Sequence, residues 1–283
     1  MKKGARLLPT ISKITVQKKA KQRYNIYVLD RQIERYSFSV DEDILINYNL
    51  RKGMELDEAA MKEIAEADEA KKTFHLAVHY LSFRMRSEKE MKEYLVKKER
   101  EESHISQAIQ RLNSEGLIDD LAFSHAFVRS KVNQGFIGPT KLKQQLYEKG
   151  VAEKHIESAL SEYDVEWEIN RLQRWKDKQD RKSGIVKDSK QQQLKKWQTQ
   201  LMTKGFSYEA ISQLIRTFTD EKNNEEEREA LAYQGEKLFR TYKKRYTEPF
   251  ELKQKMIQAL YRKGFSFDDC KAYVDEQMRG MSE

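Results

Sequence analysis

The chain has 283 residues, 38% hydrophobic and 35% charged, with a formal net charge of +8. That is too polar for one thick core and fits several small helical cores with long solvated faces. No apolar run approaches the ~20 residues that cross a bilayer, no signal-peptide core follows the basic start, and the single cysteine, Cys270, cannot close an internal disulfide. The chain therefore reads as cytoplasmic, without a membrane partner, and Cys270 as a small core residue.

The charge is unevenly placed. Residues 1–23 hold eight basic residues, from Lys2 to Arg23, and no acid, while the remainder is balanced. This segment reads as a basic arm attracted to polyanions. On that reading, deleting residues 2–10 leaves helical content unchanged.

Period-two alternation follows. Ile14 and Val16, then Tyr24, Ile26 and Val28, then Tyr36, Phe38 and Val40 predict three short strands in a meander, with a turn near Asp30-Arg31-Gln32. Asp41 is placed to cap a short helix through Ile44, Leu45 and Tyr48. Gly53 breaks it, and Asp57 starts another helix through Ala60, Ile64 and Ala67.

From about residue 70 the pattern is helical and repeats. Leu146-Tyr147-Glu148-Lys149-Gly150 returns as Leu201-Met202-Thr203-Lys204-Gly205 and as Leu260-Tyr261-Arg262-Lys263-Gly264. Self-similarity at a near-fixed period marks stacked supersecondary units. Glycine just past a helix end supplies the left-handed residue that closes it, and lysine faces the negative end of the helix dipole. Gly150, Gly205 and Gly264 thus read as equivalent structural corners, with Ser207 and Ser266 capping the helices that follow. Leu95 aligns a divergent first copy in which Glu99 replaces the glycine, so that corner is expected to be built differently. Met91, Leu142, Trp197 and Met256, four residues before the aligned leucines, extend one apolar face. Ser87 through Glu90 form a capping box, and Pro139 and Pro249 sit near helix starts.

A further helix carries Phe123, Phe127 and Val128, so each repeat holds three helices. The expected fold is mainly α: tandem three-helix, helix-turn-helix-like repeats in an elongated array behind a small β-containing region. Residues 1–69 form the arm and β region, and the repeats span 70–114, 115–163, 164–221 and 222–283. The polar stretch from Asp177 to Gln193, with Ser183-Gly184, is the interior loop candidate, and Asn223 to Glu227 marks entry to the last repeat.

Sites of chemistry are weak. His75 and His79 are spaced i, i+4, but the zincin glutamate and a third ligand are missing, so they read as helix-face residues. Asp119-Asp120 follows Gly116-Leu117-Ile118 where a cap is needed, and reads as capping rather than as an acid pair. Gly135 to Pro139 lacks a phosphate-loop ending. No catalytic residue, metal or cofactor is expected, and the chain is read as a binding protein rather than an enzyme. Basic residues do cluster. Arg84, Arg86, Lys89, Lys92, Lys97 and Lys98 in the first repeat, and Arg129, Lys131, Lys141 and Lys143 in the second, are contact candidates for phosphates or an acidic protein surface. Tyr80, Phe83, Tyr94, Trp167, Trp175, Trp197 and Tyr261 are interleaved with charge, and most of the seven are expected in the core.

Several motifs in order carry a resemblance. Tyr80 to Met91 (YLSFRMRSEKEM), Gly116 to Phe123 (GLIDDLAF), Phe127-Val128-Arg129-Ser130, Gly138-Pro139 and Lys149-Gly150-Val151 resemble the RecX family, regulators of the RecA recombinase. Tyr36 to Asp43 looks like the N-terminal region of its longer, Gram-positive members. The match is strongest over residues 74–163. The resemblance implies a monomer that binds the RecA filament, inhibits ATP hydrolysis and strand exchange without catalysis of its own, and acts in recombination, DNA repair and the SOS response. It also implies contact with single- or double-stranded DNA in some members.

Overall fold

The structure, a computed structural model, describes residues 8–18, 20–181, 187–221 and 224–279. The interior loop expected from Asp177 to Gln193 is shortened, because one helix continues to Asp180 and the next starts at Lys190; Ser183-Gly184 lies outside the described residues. The chain divides into two compact units, residues 1–124 with 148–155, and residues 125–147 with 156–283.

The first unit opens with β1 (Thr10–Val16), β2 (Arg23–Asp30) and β3 (Ile33–Asp41), an antiparallel meander. Its hairpin pairs Asp30 with Ile33 across Arg31 and Gln32, both at positive φ (50° and 68°). That is the conformation a two-residue loop needs to follow strand twist. Two helices follow, α1 (Glu42–Asn47), capped by Asp41, and α2 (Glu58–Leu81), capped by Asp57. The 24-residue α2 serves two cores. Ile64 packs with Ile11, Ile26 and Val40 of the sheet, whereas Phe74 and Ala77 pack with Met91, Leu95, Ile105 and Leu112. The last four lie on α3 (Glu88–Lys97) and α4 (Glu102–Ser114).

The expected basic arm is therefore corrected from residue 10 onward. Ile11 is buried in β1, the Pro9 carbonyl accepts from Leu56 N at 2.8 Å, and Arg23 grips the buried Asp68 of α2 at 2.8 Å. A deletion through residue 10 removes part of the sheet as well as charge. The buried Asp68 carboxyl is opposed by its own desolvation, but hydrogen bonds from Arg23 and Lys72 and from the Asp41 backbone hold its pKa below the ordinary value.

The remaining helices are α5 (Asp120–Gln134), α6 (Pro139–Glu148), α7 (Glu153–Leu160), α8 (Val165–Asp180), α9 (Lys190–Lys204), α10 (Tyr208–Glu221), α11 (Asn224–Tyr242), α12 (Pro249–Arg262) and α13 (Phe267–Arg279). In the second unit Leu172 of α8 packs with Leu201, Phe206, Ile211 and Leu214. A separate cluster joins α11, α12 and α13 through Leu231, Met256, Leu260, Phe265 and Val274. Cys270 belongs to that cluster, and burial pushes its thiol up to about 11. Ser207 and Ser266 accept from Ala210 N and Asp269 N, as N-caps do.

Each Lys-Gly corner seats on the start of an earlier helix. The Lys149 carbonyl takes the Ser87 hydroxyl at 2.8 Å, and the Lys204 carbonyl takes Gly138 N at 2.9 Å. The Lys263 carbonyl takes the Ser189 hydroxyl. Ser87, Gly138 and Ser189 each immediately precede α3, α6 and α9. A carbonyl from the negative end of one helix thus meets the positive start of another. Glycine is favoured by the left-handed turn and required by the close approach. Its φ is 76°, 85° and 88° at residues 150, 205 and 264, and an added Cβ at Gly205 would lie 2.5 Å from Lys141 N.

Glu99 corrects the expectation of a different first corner. Its own φ is 56°, and Arg100 N returns to Leu95 O at 3.2 Å, as Phe206 N returns to Leu201 O at 3.2 Å. The Schellman-type closure is kept and a glutamate bears its strain. Gly205→Ala should destabilise by about 3 kcal/mol, from left-handed strain plus overpacking. Gly116→Ala, with φ of 66° and open space around its Cβ, should cost only about 1 kcal/mol. Glu99→Gly should stabilise by about 0.5–1 kcal/mol. Urea denaturation of the three variants checks all of this, and equal losses at 205 and 116 would contradict the seating.

Candidate functional site

The basic cluster of the first repeat begins where α2 ends. Ser87 caps α3 through Glu90 N, and the Glu90 side chain returns to Ser87 N, completing the capping box. The same carboxylate receives Arg84 at 3.1 Å and Lys149 at 2.6 Å. Burial acts against its ionised form, but the Arg84 and Lys149 hydrogen bonds outweigh that, and its pKa falls from 4.5 to about 2. Sequence spacing does not reveal Glu90 and Lys149 as partners, because they stand 59 residues apart.

The candidates therefore separate. Arg84 is committed to Glu90, and Arg86 lies 4.1 Å over the Tyr80 ring with its Nε buried. Tyr80 in turn stacks on Tyr94 at 3.7 Å. Arg86, a contact candidate by its charge, is thus half-buried. Lys89 donates to the Glu148 carbonyl at 2.9 Å, and Lys141 to the Thr203 carbonyl at 3.2 Å, so both belong to corner seats. Lys92 pairs with Glu102 in the open, a contact worth little. Lys97 and Lys98 are exposed at the end of α3, Lys98 beside the Tyr94 ring. On α5, Arg129 and Lys131 are exposed, Lys131 beside Phe127. Lys143 is half-buried near the Tyr147 ring. Lys97 and Arg129 hold no ion pair among the described residues.

The acid pair resolves into two structural roles. Asp119 accepts from Leu121 N and Ala122 N and caps α5. Asp120 accepts from Glu88 N at 3.0 Å, serving α3 instead, and burial foremost raises its pKa. His75 and His79 are exposed on α2, with His79 edge-on to Phe83. Among the described residues, Glu66, Glu101 and His104 are the group whose ligand atoms lie within 4.8 Å of one another. His104 is already bonded to Glu66 at 3.0 Å, which accounts for the grouping without an ion. Trp197 is buried and Tyr80, Tyr94, Trp167 and Trp175 pack against cores, whereas Phe83 and Tyr261, 71% and 59% exposed, stand outside them. No described helix is long and apolar enough to cross a membrane.

Comparison with known proteins extends this picture. Models of the regulatory protein RecX N-terminal domain and of the RecX first, second and third three-helix domains match residues 9–57, 74–112, 119–160 and 225–274. Regulatory protein RecX of Oceanobacillus iheyensis is 42% identical over 95% of this chain and 98% of its own. That of Halalkalibacterium halodurans is 43% identical over 94% and 99%. A crystal structure of regulatory protein RecX aligns with a TM-score of 0.61 and 33% identity, covering 74% of this chain and all of that one.

The Glu90 pair set makes stability depend on pH. Its folded pKa is depressed, so its contribution is full above the unfolded value of 4.5 and is lost as pH falls through about 2. Glu90→Gln should cost about 1–2 kcal/mol at pH 7. The gap from the unsubstituted protein should close progressively below pH 4.5. A gap that persists at pH 2, in denaturation at matched ionic strength, would contradict this role.

Proposed function

The chain belongs to the RecX family of regulatory proteins, and on that premise we propose that it regulates homologous recombination by binding the RecA–DNA filament. It acts in the cytoplasm as a monomer, inhibits ATP hydrolysis and strand exchange, and does so by occupancy rather than by catalysis. Family membership carries the reading. Exposed cations such as Lys97 and Arg129, which hold no ion pair among the described residues, support it.

The contact residues we propose are Lys97 and Lys98 at the end of α3 and, as a separate set, Arg129 and Lys131 on α5. These side chains are exposed, so their removal is expected to leave stability within about 0.5 kcal/mol. Arg84 and Arg86 are less suitable probes, because replacing them would also release Glu90 and uncover Tyr80. A filament carries carboxylates and phosphates, and several desolvated charge contacts weaken binding greatly when reversed.

The test is RecA ATPase on single-stranded DNA, titrated with this protein. Inhibition should depend on its ratio to RecA. Lys97→Glu with Lys98→Glu should raise the half-inhibitory concentration at least tenfold while circular dichroism is unchanged. Unaltered inhibition by the folded double variant would overturn this placement. Binding to DNA-free RecA separates the reading from an adaptor that acts on DNA alone.

A further inference from the structure

Helix α8 carries two adjacent rows of side chains at i, i+4 spacing. One row is Trp167, Arg171 and Trp175, and the other is Asn170, Arg174 and Lys178. Both rows line a groove of about 740 Å³ closed on its other side by residues 133–136 at the end of α5. No residue lining the groove carries a carboxylate, although the chain as a whole has 46 acidic residues. Arg174 and Lys178 are exposed, and Trp167 and Trp175 are half-buried between the core and the groove they line.

Arg171 is the unusual member. Its guanidinium donates to the Val132 and Gly135 carbonyls at 2.7 and 2.6 Å and lies 5.1 Å from the Trp167 ring. Its Nε is buried without a partner. Burial, then the nearby Arg174 charge, disfavours its protonated form. Neutral carbonyls hold the group, and no anion among the described residues offsets its charge.

From this geometry we propose that the α8 groove binds a segment of single-stranded nucleic acid, with bases against Trp167 and Trp175 and phosphates on Arg171, Arg174 and Lys178. Aromatic faces accept any base, and cations beside them follow the backbone. The four-residue spacing advances about 6 Å along the helix per step. Arg174 and Lys178 therefore extend the charge beyond one phosphate, which favours a strand over a free nucleotide. Phe136 covers one face of Trp175 at a centroid distance of 5.8 Å and Trp197 packs against the same ring at 5.4 Å, contacts that hold the ring in place and leave a base only its uncovered part. The test of this groove contains no RecA, so this assignment and the one to the filament can each fail alone.

The experiment measures anisotropy of fluorescein-labelled oligothymidylate with the full chain, together with intrinsic tryptophan fluorescence on adding unlabelled strand. Arg174→Gln with Lys178→Gln should weaken binding at least tenfold. It should also flatten the salt slope by about 1.4, or about 0.7 for each phosphate that no longer meets a cation. Trp167→Leu should reduce the fluorescence quenching as well as the affinity. Thymidine monophosphate, at equal nucleotide concentration, should compete at least tenfold less well, and inorganic polyphosphate should compete without quenching tryptophan. Unchanged binding by the folded double variant overturns the site. Strand binding without tryptophan quenching overturns the base contacts, and equal competition by the mononucleotide overturns the assignment to a strand.

Discussion

A backbone carbonyl at the end of one helix, seated on the start of an earlier helix, is the constraint on which the helical repeats depend. Lys149, Lys204 and Lys263 each offer that carbonyl, and Ser87, Gly138 and Ser189 each receive it. The contact solves two problems at once, because helix ends leave unpaired carbonyls and helix starts leave unpaired N–H groups. It also brings opposite poles of two dipoles together. Close approach is the price, and it explains why glycine stands at all three seated corners: no side chain fits between the corner and the receiving helix. Glu99 makes the converse point. Its corner keeps the left-handed closure, so the turn by itself does not demand glycine.

Much of this is legible in the sequence because its causes are local. Caps lie within three residues of the groups they bond, and the Ser87 capping box, the Asp41 and Asp57 caps and the serines past Gly205 and Gly264 are found where the spacing puts them. Period-two alternation gives the three strands and their order in the sheet. The buried faces follow equally simple spacing: Met91, Leu95, Leu142, Leu146, Met256 and Leu260 are all fully buried.

What is not legible depends on distant partners. Composition cannot separate Arg23, which holds Asp68 of α2, from the basic residues before it in the chain. Nor can spacing show that Glu90 gathers Arg84 from its own side and Lys149 from the next corner. The candidate cations look alike in a charge count, yet Lys89 and Lys141 serve backbone carbonyls while Lys97 and Arg129 do not. Which aromatic residues stay outside the core is illegible for the same reason. Helical periodicity identifies a face but not how far anything covers it, and Phe83 and Tyr261 remain largely exposed.

A near-neutral chain body can therefore still present concentrated charge. Where a lysine or arginine meets a carboxylate, as at Glu90, the pair is silent toward an outside anion and its energy goes into the fold. Where the cation is held by carbonyls, as Arg171 is, the dipoles orient it but leave its charge in place. Where it is simply exposed, as at Lys97, the charge is available but unaligned. These three environments differ in what an incoming anion must displace. Displacing an internal carboxylate costs an existing pair, whereas approaching Arg171 or Lys97 costs only hydration and side-chain freedom. Function in such a chain is written less by how many basic residues it has than by which of them its own acids have already claimed.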